Sequence, residues 1–453
     1  MKPRLTCFGG VGEIGGNKFL LEDKDAKVLL DFGTGFADGA DYFGGMIEPR
    51  AVNGAGDLFE FGLLPEVHGL YSEGALQNTE LRYQKPEVDA VVVSHYHWDH
   101  VGRIGLVDEE IPIYCGETTA LISEAYGETG SSPFDGHEVR RFRTGDKFRV
   151  GPLEFVPVHV DHSIPGAYGF VVYTSEGPIA YTGDFRFHGP AGEMTADFTR
   201  EAAAAKPRLL LTEGTRVSAS DRKGNMTEKA VLEAATKAAS DCKSLVFSTF
   251  RGNDVDRINT FHAAAQASGR RLVVSMKMAA LLEKLGGDEH LKVPKVGKDV
   301  DVYLRRKKTG KFDDSDYYTW ERPYIKHGVS AGEVKKSQAG TFLHLEVWSF
   351  PELIDISPDK GGTYIHAATE PFNEEGEKEE GVVKNWVDHL GFSYKQLHAS
   401  GHAPMEEVGE LVRKVGAGKV TPIHTQRPDL FRRLGRGTRS KVEVPRKGVP
   451  IYL

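Results

Sequence analysis

Residues 94–100, Ser94-His95-Tyr96-His97-Trp98-Asp99-His100, carry the densest chemical signal in the chain. They follow the β-branched run Val91-Val92-Val93 and precede Val101-Gly102-Arg103-Ile104-Gly105, so a buried strand is expected to stop at Ser94 and pass into a loop at the sheet edge. Three histidines and an aspartate fall within positions 95–100, and imidazole nitrogen with carboxylate oxygen is the donor set of zinc or manganese. On an extended backbone His95 and His97 point to the same side, because side chains alternate with period two, and together they grip one ion. As the chain coils into a helix, Asp99 and His100 turn toward a second position, the arrangement of a paired-metal site. A single loop histidine is ordinarily just a hydrogen-bonding group, but four donors this close outweigh that reading. The spacing also differs from His-Glu-x-x-His, and no long helix surrounds it.

The chain has 453 residues, 40% hydrophobic and 27% charged, which describes a globular protein long enough for more than one domain. The start, Met1-Lys2-Pro3-Arg4-Leu5, lacks the apolar segment of a signal peptide, and no run of about 18 apolar residues exists to span a bilayer. The expectation is a cytoplasmic protein without a membrane partner. Cys7, Cys115 and Cys242 are odd in number and far apart, which suits a reducing compartment and offers no Cys-x-x-Cys knuckle. Any metal must therefore use His and carboxylate. A net charge of −8 argues against coating nucleic acid by bulk electrostatics, though not against a local groove. The basic runs Arg305-Arg306-Lys307-Lys308 and Arg427, Arg432, Arg433, Arg436, Arg439 and Lys441, and the acidic run Glu374, Glu375, Glu377, Glu379 and Glu380, read first as solvated faces.

Residues 4–8 read as a strand, and Gly9 to Asn17 as a glycine-rich turn containing Gly10-x-Gly12-x-x-Gly15. A dinucleotide fingerprint needs a helix next, yet Lys18-Phe19-Leu20-Leu21 and Lys27-Val28-Leu29-Leu30-Asp31 look like two more strands, which predicts a tight hairpin near the metal cleft instead. Asp31 is expected to brace the ligand loop rather than to ligate. From Gly35 to Pro86 the chain is loop-rich with scattered aromatics (Tyr42, Phe43, Phe59, Phe61, Tyr71), either a lid or a packing arm. The strand Ile111–Tyr114 and the helix Thr118–Tyr126 then alternate as a layered α/β domain requires. Strand-like Phe155–Val160 leads to His162, and Ile179–Thr182 delivers Asp184. Either alone would be a turn cap. Joined to the His95 cluster, His162 completes a first set of ligands, and Asp184, with two oxygens, can bridge cations about 3.5–4 Å apart. Leu209–Thr215 is another strand, ending in the acid Glu213.

Beyond it the pattern resets. Helix Thr227–Ala239, strand Ser244–Ser248, helix Val255–Ala267 and strand Arg271–Ser275 predict a second α/β domain with its own parallel sheet, roughly 170 residues long. Its loop Ser248–Asn253 is either an ordinary connection or a phosphate site made by the helix start and Arg251. Helical Gly381–Leu390 closes this insert. Leu397–Ala403, the helix Met405–Val415 and the strand Val420–Thr425 return to metal chemistry, placing Ser400, Gly401 and His402 at a helix start, which suits an anion, and His424 at a strand end. Ile451–Leu453 adds an edge strand.

The order His95-x-His97-x-Asp99-His100, His162, Asp184, Glu213, an inserted α/β domain, His402 and His424 resembles the metallo-β-lactamase superfamily, and within it the β-CASP nucleases, ribonuclease J and its archaeal relatives above all. Gly9-Gly10-Val11-Gly12-Glu13-Ile14-Gly15, His162-Ser163-Ile164-Pro165, Tyr181-Thr182-Gly183-Asp184-Phe185 and the segment around Ser400-Gly401-His402 are phrased as in that family, and the similarity covers nearly the whole chain. The resemblance implies an α/β protein in which a four-layer αββα domain, residues 1–215 and 393–453, carries a β-CASP domain inserted at 216–392, with single-stranded RNA bound in the cleft between them. It implies two divalent ions, zinc or manganese: one held by His95, His97 and His162, the other by Asp99, His100 and His424, with Asp184 bridging. Glu213 would orient a ligand, His402 would sit near the scissile phosphate, and His398, Ser400 and Gly401 would belong to the phosphate-binding strand end.

Departures from the family are Glu at 213 where Asp is usual, His424-Thr425-Gln426 in place of His-Gly-Glu, the long stretch 36–86, and the lack in this sequence of ribonuclease J's extra C-terminal domain, which leaves a homodimer an open question. The implied activity is hydrolysis of phosphodiester bonds in single-stranded RNA, 5′-to-3′ exonuclease action with endonuclease activity, in which Asp99 takes the proton of the attacking water and His402 steadies the phosphoryl oxygens or the leaving group. The rivals are a single-stranded DNA nuclease of the same fold, a small-molecule metallo-hydrolase acting on a thioester or lactone, for which so long a cleft is ill suited, and a non-catalytic RNA-binding partner, against which every ligand position is filled.

Overall fold

The strand Ala26–Phe32 shows how the layers arise. Val28 and Leu30 enter one core while Leu29 enters another, and a left-handed residue at Asp31 (φ 56°) reverses the alternation so that Phe32 rejoins Leu29. A strand buried on both faces is an unbroken apolar run, which is why these segments are legible in the sequence. The computed structural model describes residues 2–36, 42–43, 47–218, 226–369 and 374–453. Met1 and parts of the 36–86 stretch lie outside the described residues, as do the side chains of Glu374 and Glu375 in the acidic run.

Two seven-stranded sheets lie face to face. The first runs in the order Pro450–Tyr452, Arg4–Cys7, Lys18–Asp23, Ala26–Phe32, Ala90–Val92, Ile113–Gly116, Val139–Phe142. The second runs Lys441–Val442, Lys419–Ile423, Leu209–Glu213, Gly177–Tyr181, Tyr168–Thr174, Leu153–His159, Phe148–Val150. Leu5, Phe19, Val28, Leu30 and Val92 of the first meet Phe155, Phe170, Val172, Ile179 and Leu211 of the second, the interdigitating core of two stacked sheets. The outward faces are covered by helices: Ala120, Ile122 and Ala125 of Glu117–Thr129 on the first sheet, and Phe198 and Ala202 of Gly192–Ala205 with Val408, Leu411 and Val412 of Met405–Val415 on the second. This is the four-layer αββα architecture.

A third seven-stranded sheet, parallel throughout, runs Gly328–Ser330, Val300–Leu304, Arg271–Val274, Thr341–His344, Val246–Thr249, Thr363–His366, Ser393–Gln396. It is built between Leu209–Glu213 and Lys419–Ile423, which are hydrogen-bonded neighbours in the second sheet, so the α/β unit is an insertion. Helices Glu228–Asp241, Val255–Ala267 and Met276–Leu285 cover one face, and Ala331–Lys336, Glu352–Ile356 and Glu374–His389 the other. The seam with the αββα layers includes Lys284 Nζ to Glu128 Oε1 (2.5 Å), Thr118 Oγ1 donating to Asp288 Oδ2 (2.9 Å) and Arg143 Nη2 donating to Asp288 Oδ1 (3.0 Å).

Several expectations change. The sheet runs past residue 392, because the polar Ser393–Gln396 is its edge strand. Leu397–His398 is not a strand, Pro404 caps the helix Met405–Val415 expected, and Ser400, Gly401 and His402 lie in the loop ahead of that cap. The glycine turn is the hairpin expected, with Arg4–Cys7 antiparallel to Lys18–Asp23 and Gly10, Gly12, Gly15 and Gly16 all at positive φ. The described part of 36–86 is a packing arm: Leu58, Leu63, Leu64, Leu70, Tyr71 and Leu76 are buried with Phe32, Val101 and Ile104 on the outer face of the first sheet. Among the described residues no helix is long and apolar enough to cross a membrane, and Cys7, Cys115 and Cys242 are free and buried.

Candidate metal centre

Strand ends from both stacked sheets converge at one rim. After Ala90–Val92, His97 stands at the N-cap of the short helix Trp98–Val101, which carries Asp99 and His100 to a second group of donors. A Cβ at Gly33 would collide with the Asp99 carbonyl, so glycine there lets the helix sit against the neighbouring strand. His162 follows Leu153–His159, Asp184 follows Gly177–Tyr181, and His424 follows Lys419–Ile423. His424 is itself left-handed (φ 51°), held by its N–H donating to the carbonyl of Gly10 in the glycine hairpin (2.8 Å). Strained backbone of this kind persists only where its surroundings over-determine it.

Two donor sets result. In the first, His97 Nδ1 lies 3.1 Å from His95 Nε2 and 3.0 Å from His162 Nε2. In the second, His424 Nε2 lies 2.9 Å from Asp99 Oδ2, and His100 Nε2 lies 3.1 Å from Asp184 Oδ2. Asp184 Oδ2 stands between the sets, 3.7 Å from His95 Nε2 and 3.6 Å from His424 Nε2. The donor atoms of His95, His97 and His162 form one potential ion-holding group and those of Asp99, His100, Asp184 and His424 another. All seven side chains are buried.

These residues fit divalent ions on two grounds. Three imidazole nitrogens face one another with no shared acceptor, and buried Asp184 Oδ1 has no hydrogen-bond partner among the described residues, an arrangement that costs free energy unless something positive sits there. Burial first, then neighbouring histidines, pushes His95 and His162 well below the ordinary imidazole range, and burial with Arg251 pushes His97 down to about 3. All three are therefore neutral, the form that binds a metal. Burial would also lower His100 and His424, but the carboxylates of Asp184 and Asp99 outweigh it and raise His100 well above its usual value and His424 to about 9. Burial would raise Asp99 and Asp184, yet the same histidines hold both well below the usual carboxylate range.

A surrounding layer fixes the rings. Ser94 Oγ donates to Asp31 Oδ2 (2.7 Å) and so accepts from His95 Nδ1 (3.0 Å), leaving Nε2 for the site. His162 Nδ1 donates to the carbonyl of Gly401 (2.6 Å). Thr215 Oγ1 donates to Glu213 Oε2 (2.7 Å) and accepts from His424 Nδ1 (2.7 Å). Glu213 Oε1 accepts from the Phe185 N–H (3.2 Å) and from His402 Nδ1 (3.1 Å), so this one carboxylate orients both His424 and His402. Partners of this kind set the tautomer and basicity of ligating histidines. Asp31 braces, as expected, and is not among the grouped donors. The bracing roles of Ser94, Thr215, Arg186 and Tyr181, whose hydroxyl donates to Asp31 Oδ2 (2.5 Å), are not legible in the sequence, because each acts through a partner distant along the chain.

The predicted phosphate contacts fare differently. Arg251 is exposed, and its charge adds to the burial that lowers His97. The amides at the start of Val255–Ala267, however, are capped by Asp254, whose side chain accepts from the Arg257 N–H (3.0 Å), so that helix start does not offer itself to an anion. His398 Nδ1 donates to the carbonyl of Ala367 (3.2 Å), and its Nε2 is buried, so both ring nitrogens face protein. His402 is partly exposed beside Asp184 (3.8 Å). Ser400 and Gly401 lie next to it, and Ser400 Oγ accepts the N–H of His402 (3.1 Å).

The family described as a beta-lactamase superfamily domain matches residues 65–246, a span that takes in His95 through Glu213 but stops short of His402 and His424. Ribonuclease J 2 of Streptococcus pyogenes serotype M3 is 24% identical over 443 residues, 94% of this chain and 70% of its own length. Ribonuclease J of Sinorhizobium meliloti is 24% identical over 376 residues, 81% of this chain and 63% of its own, and that of Helicobacter pylori strain J99 is 22% identical over 466 residues, 98% and 59%. The chain thus spans between 59% and 70% of the length of these relatives. A crystal structure of a protein of unknown function from Enterococcus faecalis V583 superposes with a TM-score of 0.78 at 21% identity, covering 100% of both chains, a likeness of fold. Residues 65–246 are thus similar to a beta-lactamase superfamily domain, and most of the chain is similar in sequence to these ribonucleases J.

Proposed function

We propose that this protein is a two-metal hydrolase that cleaves phosphodiester bonds of single-stranded RNA. One observation carries the reading: two buried donor sets, drawn from strand ends far apart in sequence, meet with Asp184 Oδ2 between them. Zinc or manganese, bound there in a pair, would supply an activated water and neutralise charge on the phosphoryl oxygens. His95, His97 and His162 would hold one ion, Asp99, His100 and His424 the other, and Asp184 both. Asp99 accepts the proton of the attacking water, and His402, steadied by Glu213, donates to the phosphoryl oxygens or the leaving group. Arg251, Ser400 and Gly401 bind flanking phosphates. We take residues 1–215 and 397–453 as the catalytic unit and 216–396, which includes the edge strand Ser393–Gln396, as the unit that closes the RNA cleft.

The relatives' name, ribonuclease, supports RNA as the substrate. Trp98, between two ligands and 60% exposed, supports single strands, since unpaired bases stack on exposed aromatic rings. It lines a cavity of about 330 Å³ with Arg50, Arg103 and Pro133. The test is digestion of matched single-stranded RNA and DNA by purified protein and by His97→Ala and Asp184→Ala variants. RNA cleavage that both variants abolish is expected; equal or preferential DNA cleavage, or normal cleavage by metal-freed variants, would overturn the reading. RNA bearing a 5′-monophosphate or a 5′-triphosphate, with products sized over time, tests the finer assignment of 5′-to-3′ exonuclease action, for which mononucleotides and a monophosphate preference are expected.

A further inference from the structure

Arg186, two residues past Asp184, is wholly buried. Its Nε donates to Asp161 Oδ1 (3.0 Å), its Nη1 to the carbonyl of Ser400 (3.2 Å), and its Nη2 to the carbonyl of His162 (3.4 Å) and to Asp256 Oδ2 (2.6 Å). Its own N–H donates to the carbonyl of Asp161 (2.8 Å). Three of these acceptors bear on His162: the carboxylate before it, its own carbonyl, and the residue before Gly401, whose carbonyl receives His162 Nδ1 at 2.6 Å. A Cβ at Gly401 would stand 2.9 Å from His162 Cε1, so loop and ring touch. The fourth acceptor, Asp256, belongs to the helix Val255–Ala267 of the inserted α/β unit.

We propose that Arg186 is a positioning residue that transmits the seating of the inserted unit to His162, so that affinity for the ion held by His95, His97 and His162 depends on a contact made by the other body of the protein. The proposal rests on the paired-metal reading above. A planar fork with five donors in fixed directions is what four acceptors on three chain segments require, and a lysine, with three donors on one nitrogen, cannot serve them together. The bridge also has a direction: Asp161, His162 and Ser400 all belong to the catalytic layers, and Asp256 is the only one of the four acceptors contributed by the insert. Lys284–Glu128, by contrast, joins the same two bodies without touching any loop that carries a ligand.

The test is stepwise binding of zinc to the metal-free protein, by competition with a chromophoric chelator, together with the visible spectrum of the cobalt-substituted protein. Wild type, Asp256→Ala, Arg186→Lys and Lys284→Gln are compared, with thermal melting as the check on folding. Asp256→Ala leaves Arg186 its Asp161 partner and is the milder change. It is expected to weaken one of the two ions about tenfold, the scale of lost support around a ligand, to leave the other within about twofold, and to alter the cobalt spectrum. Arg186→Lys is expected to do the same, and Lys284→Gln to do neither. Two ions bound by folded Asp256→Ala with wild-type affinities and spectrum would overturn this inference alone. So would an equal loss in Lys284→Gln, which would reduce the effect to docking. A wild-type protein that binds fewer than two ions would overturn both this inference and the paired-metal reading.

Discussion

His100 Nδ1 donates to Asp31 Oδ2 at 2.8 Å, which turns the opposite ring nitrogen toward Asp184. Asp31 receives donors only: besides His100 it accepts the Ser94 N–H (2.7 Å), the Ser94 hydroxyl (2.7 Å) and the Tyr181 hydroxyl (2.5 Å). An amide at this position would aim N–H groups at other donors. Asp31→Asn is therefore expected to lower metal affinity about 10- to 100-fold, the usual cost of losing a partner behind a ligand, as read by chelator competition.

Thr215 relays Glu213 to His424. Thr215→Val keeps the shape and removes the hydroxyl, so His424 Nδ1 loses its 2.7 Å partner while Glu213 still holds His402. The expected outcome is about tenfold weaker binding of one ion and, once metal is restored in excess, near-normal turnover. Glu213→Ala should lose turnover even in excess metal, because His402 is released as well.

Trp98 adds contact without adding a ligand. Trp98→Ala is expected to raise KM for single-stranded RNA by about tenfold, consistent with roughly 1–3 kcal/mol per stacked base, with kcat and bound metal unchanged. Trp98→Phe should restore most of the loss. A KM unmoved by Trp98→Ala would remove the ring from the substrate path.

His344 ends the strand Thr341–His344 inside the inserted unit, with Nε2 donating to the carbonyl of Phe250 (3.1 Å). Burial pushes its imidazole down to about 4. The unfolded chain takes up a proton near about 6.5, and the folded chain does so only near 4. The stabilisation is therefore complete above about 6.5 and is lost progressively as pH falls toward 4, a difference on the order of 3 kcal/mol at full extent. His344→Asn is expected to flatten that fall, measured as the change in urea midpoint between pH 7 and pH 4.5. An unchanged slope would show that other groups carry the acid sensitivity.

His95, Asp184 and His424 are legible as grouped side chains because each stands just past an apolar strand: Val91–Val93 before His95, Ile179–Tyr181 before Asp184, Val420–Ile423 before His424. Helix Met405–Val415 was readable from its amphipathic face, with Glu406 and Glu407 in the first turn, Arg413 and Lys414 in the last, and Gly416 beyond. The third sheet was harder. Val300–Leu304, Thr341–His344 and Thr363–His366 are short and flanked by charge, and Ser393–Gln396 has no apolar run at all, as an edge strand needs none. Arg186 looks like any surface arginine after a strand, and only the approach of Ser400 and Asp256 makes it central. Ser400–His402, expected at the start of the helix Met405–Val415, whose bounds the sequence predicts, lie in the loop just before its cap at Pro404.

The most direct measurement is cleavage of a single-stranded RNA oligonucleotide by metal-free protein as a divalent ion is added in known equivalents. No cleavage is expected without metal, and the rate should climb until two equivalents per chain are bound, then level. Full cleavage by metal-free protein, saturation at one equivalent, or two bound ions with intact RNA would contradict the paired-metal reading.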